Sequence, residues 1–245
     1  MISIFNKELS AFFSSLIGYI VIGVFLIAMG LFMWVIPDTN LLDYGYASLD
    51  SFFSFVPMIL LFLIPAVTMR LIAEENQNGT IEFLATKPIS DLKIVGGKYL
   101  AALALVVFAI LPTILYYITI YKLGSPKPGN IDTGAVIGSY LGLVLISAAF
   151  ISIGLFASSL SKNQIVAFVL GAFLCFFFYL GFEFLSSLPF FYGKLDNLIE
   201  SLGFNYHYNS LSKGLLDLRD VIYFLSVICF FLFLTLISLQ QRKWS

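Results

Sequence analysis

Charge is what this chain lacks most. Lysine, arginine, aspartate and glutamate make up 11% of its 245 residues, while 60% are hydrophobic. Soluble domains carry about 25% charged and about 45–50% apolar residues, so a water-soluble globule is excluded. A formal net charge of -1 supplies no basic surface, and a nucleic-acid partner is not expected. Cysteine is nearly absent too: Cys175 and Cys229 both fall in apolar runs, where they read as small hydrophobes. With one histidine, His207, a disulfide framework or a metal site is not expected. Catalytic signatures are also missing. There is no GxxxxGK[ST] phosphate loop, no HExxH and no GxSxG elbow, so the chain is expected neither to bind ATP by a phosphate loop nor to act as an enzyme. No cleavable leader is expected, because the first apolar run exceeds a signal-peptide core and no small-x-small site follows it.

What is present is long apolar sequence. A helix needs roughly 20 apolar residues to cross about 30 Å of hydrocarbon. Six stretches qualify: Leu16–Ile36, Phe52–Ala73, Leu100–Tyr121, Ala135–Ala157, Gln164–Leu185 and Val221–Leu239. None alternates in polarity as barrel strands do. The expected fold is therefore an all-α integral membrane protein, one six-span domain over residues 1–245. The span centres hold no lysine, aspartate or histidine, which argues against a proton or ion path. Arg70 lies one turn from the inner end of span two, where it can snorkel. Glu183, near the outer end of span five, reads as an interfacial carboxylate. His207, in Asn-Tyr-His-Tyr-Asn, reads as part of an aromatic interface segment. Pro57, Pro65 and Pro112 lie inside spans two and three, where proline can kink a helix.

Lysine and arginine placement gives the orientation. With the N-terminus inside, the inner side holds Lys7, Arg70, Lys87, Lys93, Lys98, Lys162, Arg242 and Lys243. The outer side holds Lys122, Lys127, Lys194, Lys213 and Arg219, and the first outer loop, 37–51, has no basic residue. Both termini are therefore placed in the cytoplasm, and the chain in the cell (inner) membrane.

The polar pieces are few. Residues 2–15 read as an elbow helix in the inner interface, with Phe5, Leu9, Phe12, Phe13 and Leu16 on one face and Lys7 and Glu8 mostly elsewhere. The inner loop 74–98, EENQNGTIEFLATKPISDLKIVGGK, reads as a short transverse helix: Thr80 caps it, Glu82 sits in its first turn, and Pro88 closes it. Ser90 can cap a second helix leading into span three. An ordinary solvated loop is the alternative. The second inner loop, Ser158–Asn163, is short enough to make spans four and five antiparallel neighbours. Gly138 and Gly142 form a small-xxx-small pair that suits either a dimer seam or packing within the chain. In the outer connection 186–220, one amphipathic helix is expected through Leu195, Leu198, Ile199 and Leu202, stopped by Gly203. A second is expected through Leu211, Leu215, Leu216 and Leu218.

The pattern EENQNGTIEFLATKPIS followed by GGKYLA resembles the signature of ABC-2 type transporter permeases. The elbow, the six spans, the short second inner loop and the paired outer helices resemble that family too. The resemblance implies a non-catalytic, membrane-spanning permease subunit. Its partners would be a cytoplasmic ABC ATPase, which holds the ATP and magnesium, and a second permease copy or paralogue. A periplasmic component facing the outer helices also fits. Position by position, Asn78, Gly79, Thr80, Ile81, Glu82, Phe83 and Leu84 would form the coupling helix, with Glu74 and Glu75 leading into it. Ser161, Lys162 and Asn163 would form a smaller ATPase contact. The elbow start FNKELSAFFSSLIGYI and the stretch Ser210–Trp244 look like the branch holding the gliding-motility-associated permease (GldF-like) and the nitrous-oxide-reductase-maturation permease. Against this stand an ATPase-independent channel or secondary transporter, which calls for charged span residues or inverted repeats, and a purely structural membrane scaffold.

Overall fold

The computed structural model describes residues 1–37, 39–42, 47–80, 90–124, 129–190, 193, 195–215 and 217–242. Among them there is no strand. An elbow, α1 (Ile2–Ser14), turns at Ser15 into span one, α2 (Leu16–Trp34). Span two is α3 (Asp50–Gln77). Span three is α4 (Asp91–Ile110) and α5 (Ile114–Leu123), joined by a 3-10 turn at Leu111–Thr113. Span four is α6 (Thr133–Leu160). Span five is α7 (Gln164–Phe176) and α8 (Phe182–Ser186), joined by a π segment at Phe177–Gly181. Two short helices, α9 (Asp196–Glu200) and α10 (Phe204–Leu211), precede span six, α11 (Leu218–Arg242). All six spans are long and apolar enough to cross a membrane. The protein is an all-α integral membrane protein.

Span four is the axis of the bundle. Its most apolar stretch is 78% buried, against 22% to 56% for the other five. It packs on spans two, five and six and on α10. Small side chains permit this. A Cβ on Gly138 would stand 2.7 Å from the Gly214 carbonyl oxygen, and one on Gly142 would stand 2.6 Å from the Leu211 Cβ. Such approaches are how helices associate in lipid, where no hydrophobic force separates helix from tail. Gly138 and Gly142 thus serve packing within the chain, and the two readings left open by the sequence resolve to that one.

At the end of the bundle away from the termini, α10 is wedged among the spans. Phe204, Tyr208 and Leu211 are buried to 1% exposure or less. The Tyr208 hydroxyl donates to the Phe53 carbonyl at 2.7 Å, and burial raises its pKa well above the usual tyrosine value. Ser139 Oγ donates to the Ser212 carbonyl at 2.8 Å, and Asn205 Nδ2 donates to Glu183 Oε2 at 2.7 Å. His207 Nδ1 lies 2.7 Å from Asp220 Oδ1, Nε2 lies 2.9 Å from the Ser201 carbonyl, and the ring stacks on Tyr223. Glu183 is exposed, in line with an interfacial carboxylate.

Several boundaries differ from those expected. Span two runs on through Glu74 and Glu75 to Gln77, and span four runs to Leu160, so the second inner turn is only Ser161–Asn163. The second outer helix is Phe204–Leu211, not a piece through Leu215 and Leu218: aromatic anchors rather than the leucine stripe decide its register, and Leu216 lies outside the described residues. Gly203 caps the start of α10 rather than ending α9. Leu195, Leu198 and Leu202 on the α9 stripe stay 47% to 65% exposed. The prolines act unequally. Span two continues past Pro57 and Pro65, whereas span three tightens to a 3-10 turn at Pro112, where the ring removes a donor.

A larger residue at the Gly138 contact should therefore be costly. Gly138→Val should destabilise the detergent-solubilised chain by about 1–3 kcal/mol, the usual range for overpacking. Gly23→Ala, which meets no atom within 4 Å, should be neutral within the error of the same thermal melt.

Candidate functional site

The polar residues gather at the end of the bundle that carries the termini. Helix α1 lies against the start of α4. Its buried face is Ile4, Glu8 and Phe12, one residue off the expected stripe of Phe5, Leu9, Phe12, Phe13 and Leu16; Leu16 is 75% exposed. Glu8 was expected on the polar side. It turns inward because Lys98 is waiting there.

Lys98, which reads in sequence as an inner surface charge, is only 2% exposed. Its ammonium lies 2.8 Å from Glu8 Oε1, 2.9 Å from Glu75 Oε1 and 2.7 Å from the Leu71 carbonyl. All three of its donors are thus used. Lys7 closes the cluster, 3.1 Å from Glu75 Oε1 and 3.5 Å from Glu8 Oε1. Two carboxylates face two ammoniums, so the group is neutral as a whole. Burial opposes the charge on Lys7, yet its hydrogen bond to Glu75 and the Glu75 and Glu8 carboxylates outweigh this and hold its pKa above the ordinary lysine value. Lys7 is therefore charged at neutral pH. Arg70, at the inner end of span two, lies over the Phe12 ring at 4.7 Å and donates to Ser15 Oγ at 3.4 Å. The elbow is thereby fastened to spans two and three.

A cavity of about 520 Å³ opens beside this cluster, lined by Lys7, Arg70, Glu74, Glu75, Asn78 and Thr80 among others. Glu74 is exposed on its rim. Asn78 ends α3, its N–H donating to the Glu74 carbonyl at 3.0 Å. Gly79 then takes a left-handed φ of +67°, a conformation that favours glycine. Thr80 Oγ1 donates back to the Glu75 carbonyl at 3.4 Å. Ile81, Glu82, Phe83 and Leu84 lie outside the described residues, as does Pro88. Helix α4 begins at Asp91 after Ser90, as expected, without a side-chain cap bond.

The second inner turn is well ordered by its own side chains. Ser161 Oγ donates to the Asn163 carbonyl at 3.1 Å and accepts from the Asn163 N–H at 2.9 Å. Asn163 Oδ1 caps α7 by accepting from the Ile165 N–H at 2.8 Å. Lys162 is exposed. The two expected contact segments meet, because Asn76 Nδ2 donates to the Ser161 carbonyl at 3.3 Å.

Sequence reasoning missed three parts of this arrangement. The sequence gives no sign that Glu8, off the apolar face of the elbow, and Lys98, one of the inner-side charges, pair with each other. Ser158 was placed in a loop, but it is fully buried in α6 and bonded to the backbone of α3. Gly154 and Ser158 form a second small-xxx-small pair, and that spacing is the signal that would have found them.

Removing Lys98 takes from Glu8 and Glu75 their buried cation and leaves them only the exposed Lys7. Lys98→Met should destabilise the chain by about 3–5 kcal/mol, as loss of one partner from a buried ion pair does. Lys7→Met, with a side chain 61% exposed, should cost about 0–1 kcal/mol. Thermal melts of the two variants in detergent check both values.

A family model described as ABC-2 family transporter protein matches residues 2–244. No curated protein matches the chain.

Proposed function

The chain belongs to the ABC-2 family of transporter proteins, matched over nearly its whole length, and from that premise we propose that it couples ATP hydrolysis by a separate cytoplasmic ATPase to movement across the membrane. The observation that carries this reading is the family match itself, joined to the placement of polar residues. The described part of the larger segment singled out for the ATPase, Glu74, Glu75 and Asn78 to Thr80, ends span two, and Asn76 within that stretch bonds to Ser161 of the smaller segment, Ser161–Asn163.

In this reading that end faces the cytoplasm of the cell (inner) membrane, in keeping with the lysine and arginine count. Glu74, Asn78, Gly79 and Thr80, continued by Ile81, Glu82, Phe83 and Leu84, receive the larger ATPase contact. Lys162 and Asn163 receive the smaller one. Six spans make half of such a transporter, so a second copy or a paralogue completes it. ATP and magnesium sit on the ATPase, and this chain carries out no covalent step. The resemblance of residues 5–20 and 210–244 to the GldF-like branch supports a place in gliding motility, where the work done is either export or the transmission of force.

The coupling role is testable without knowing the cargo. Thr80→Ala with Glu82→Ala should lower the permease-dependent part of ATP turnover in the reconstituted complex by about 5- to 150-fold, the span of typical coupling free energies, while membrane insertion is retained. Unchanged turnover in a correctly inserted double variant contradicts the assignment.

A further inference from the structure

We propose that the Ser158 hydroxyl is the joint that makes the two inner contact segments move as one body, so that Ser158 is a positioning residue for ATP-driven motion. This rests on the reading of those segments as ATPase contacts, but the joint is a property of the chain alone.

Ser158 is fully buried in α6. Its Oγ accepts from the Ile72 N–H at 3.1 Å and from the Ala73 N–H at 3.0 Å, and it donates to the Met69 carbonyl at 2.9 Å. A hydroxyl has one donor and two acceptor positions, so its whole capacity is spent on one turn of α3. A side chain inserted into another helix's ladder marks a place where that helix bends.

The turn before the one it enters is the weaker part of α3. Pro65 has no N–H to offer, and Thr68 Oγ1 bonds back to the Ile64 carbonyl at 3.0 Å, a bond that tends to bend helices. One turn before Ser158, Gly154 leaves no room between helices, since a Cβ there would run into Thr68 Oγ1. Span five joins the crossing through Gly171, whose Cβ would meet Pro65 at 3.4 Å.

The position of this joint gives it its role. Ala73 immediately precedes Glu74, the first residue of the larger segment, and Ser158 is followed within one turn by Ser161, the first of the smaller. Apolar burial alone does little to fix register in lipid, because the tails are as apolar as the side chains. Directional hydrogen bonds to backbone do. A push received at Glu74–Thr80 therefore reaches Ser161–Asn163 through Ser158, with Asn76 as a second tie.

The test uses the full chain with spin labels at the exposed positions Gln77 and Ile165 and with the exposed Cys229 replaced by serine. Distances between the labels are measured for the permease in nanodiscs, alone and with its ATPase plus a non-hydrolysable ATP analogue. The unmodified joint should give one narrow distance that ATP does not change. Ser158→Ala should lose that single distance, and Ser158→Thr, which keeps the hydroxyl, should restore it. ATP turnover by the complex should fall about 2- to 30-fold in Ser158→Ala, the range for coupling residues remote from either ligand. If Ser158→Ala does not yield folded protein, Ser158→Val, isosteric with the threonine variant but without its hydroxyl, makes the same comparison. An equally narrow distance in the alanine or valine variant overturns the proposal. So does a threonine variant as broad as the alanine one, which assigns the effect to volume. Failure of any ATPase to associate with the unmodified chain sinks the functional reading instead, and the nanodisc distances still decide the joint.

Discussion

Everything else in this structure depends on how closely other backbones can approach span four. In a bilayer, burying leucine against leucine gains little over leaving it against lipid, so association relies on contact density and on hydrogen bonds. Span four meets this constraint with glycine and serine at both of its ends. Gly138 and Gly142 admit the α10 region at one end, while Gly154 and Ser158 admit span two at the other. Its middle is filled with larger side chains such as Phe150, Ile151 and Leu155, all fully buried. The result is a helix gripped at its ends and packed along its length.

The two ends are fastened by different chemistry. At the α10 end, separate hydrogen bonds reach spans two, four, five and six, so this helix binds four spans to one another. At the end with the termini, the fastening is ionic. Lys98 draws Glu8 of the elbow and Glu75 of span two onto the start of span three. An ion cluster this buried has a desolvation cost that close pairing offsets: each ammonium donor of Lys98 has an acceptor, while Glu75 Oε2 is left without a hydrogen-bond partner. A force applied near Glu74 meets a block of elbow, span two, span three and span four rather than a free loop.

The fold was legible because each span announces itself by length and hydropathy, and the signal does not depend on tertiary detail. Span ends were less so, since Glu74 and Glu75 are as polar as any loop residue yet continue a helix, Glu74 facing solvent and Glu75 paired through Oε1 with Lys98 and Lys7. The wheel of the elbow pointed to Phe5, Leu9 and Phe13; a partner charge on a distant span, invisible to local periodicity, rotated Glu8 inward instead. Lys98, just before an apolar run, reads as one of the inner-side charges until the two carboxylates from residues 8 and 75 are brought beside it. The π segment at Phe177–Gly181 carries no sequence mark comparable to the Pro112 break, and periodicity does not reveal it. The end of span two and the Ser161–Asn163 turn are neighbours, and the ties between them, Asn76 to Ser161 and Ser158 to span two, were the part that only the packing reveals.

An ATP-driven permease has to carry an ATPase with it. The most direct measurement is mild-detergent purification of the unmodified chain from its native membranes, with ATP hydrolysis assayed in each fraction. ATPase activity that co-elutes with the chain and depends on its presence is the predicted result. Intact chain, recovered under conditions that preserve other membrane complexes and with no associated ATP hydrolysis, would contradict the account.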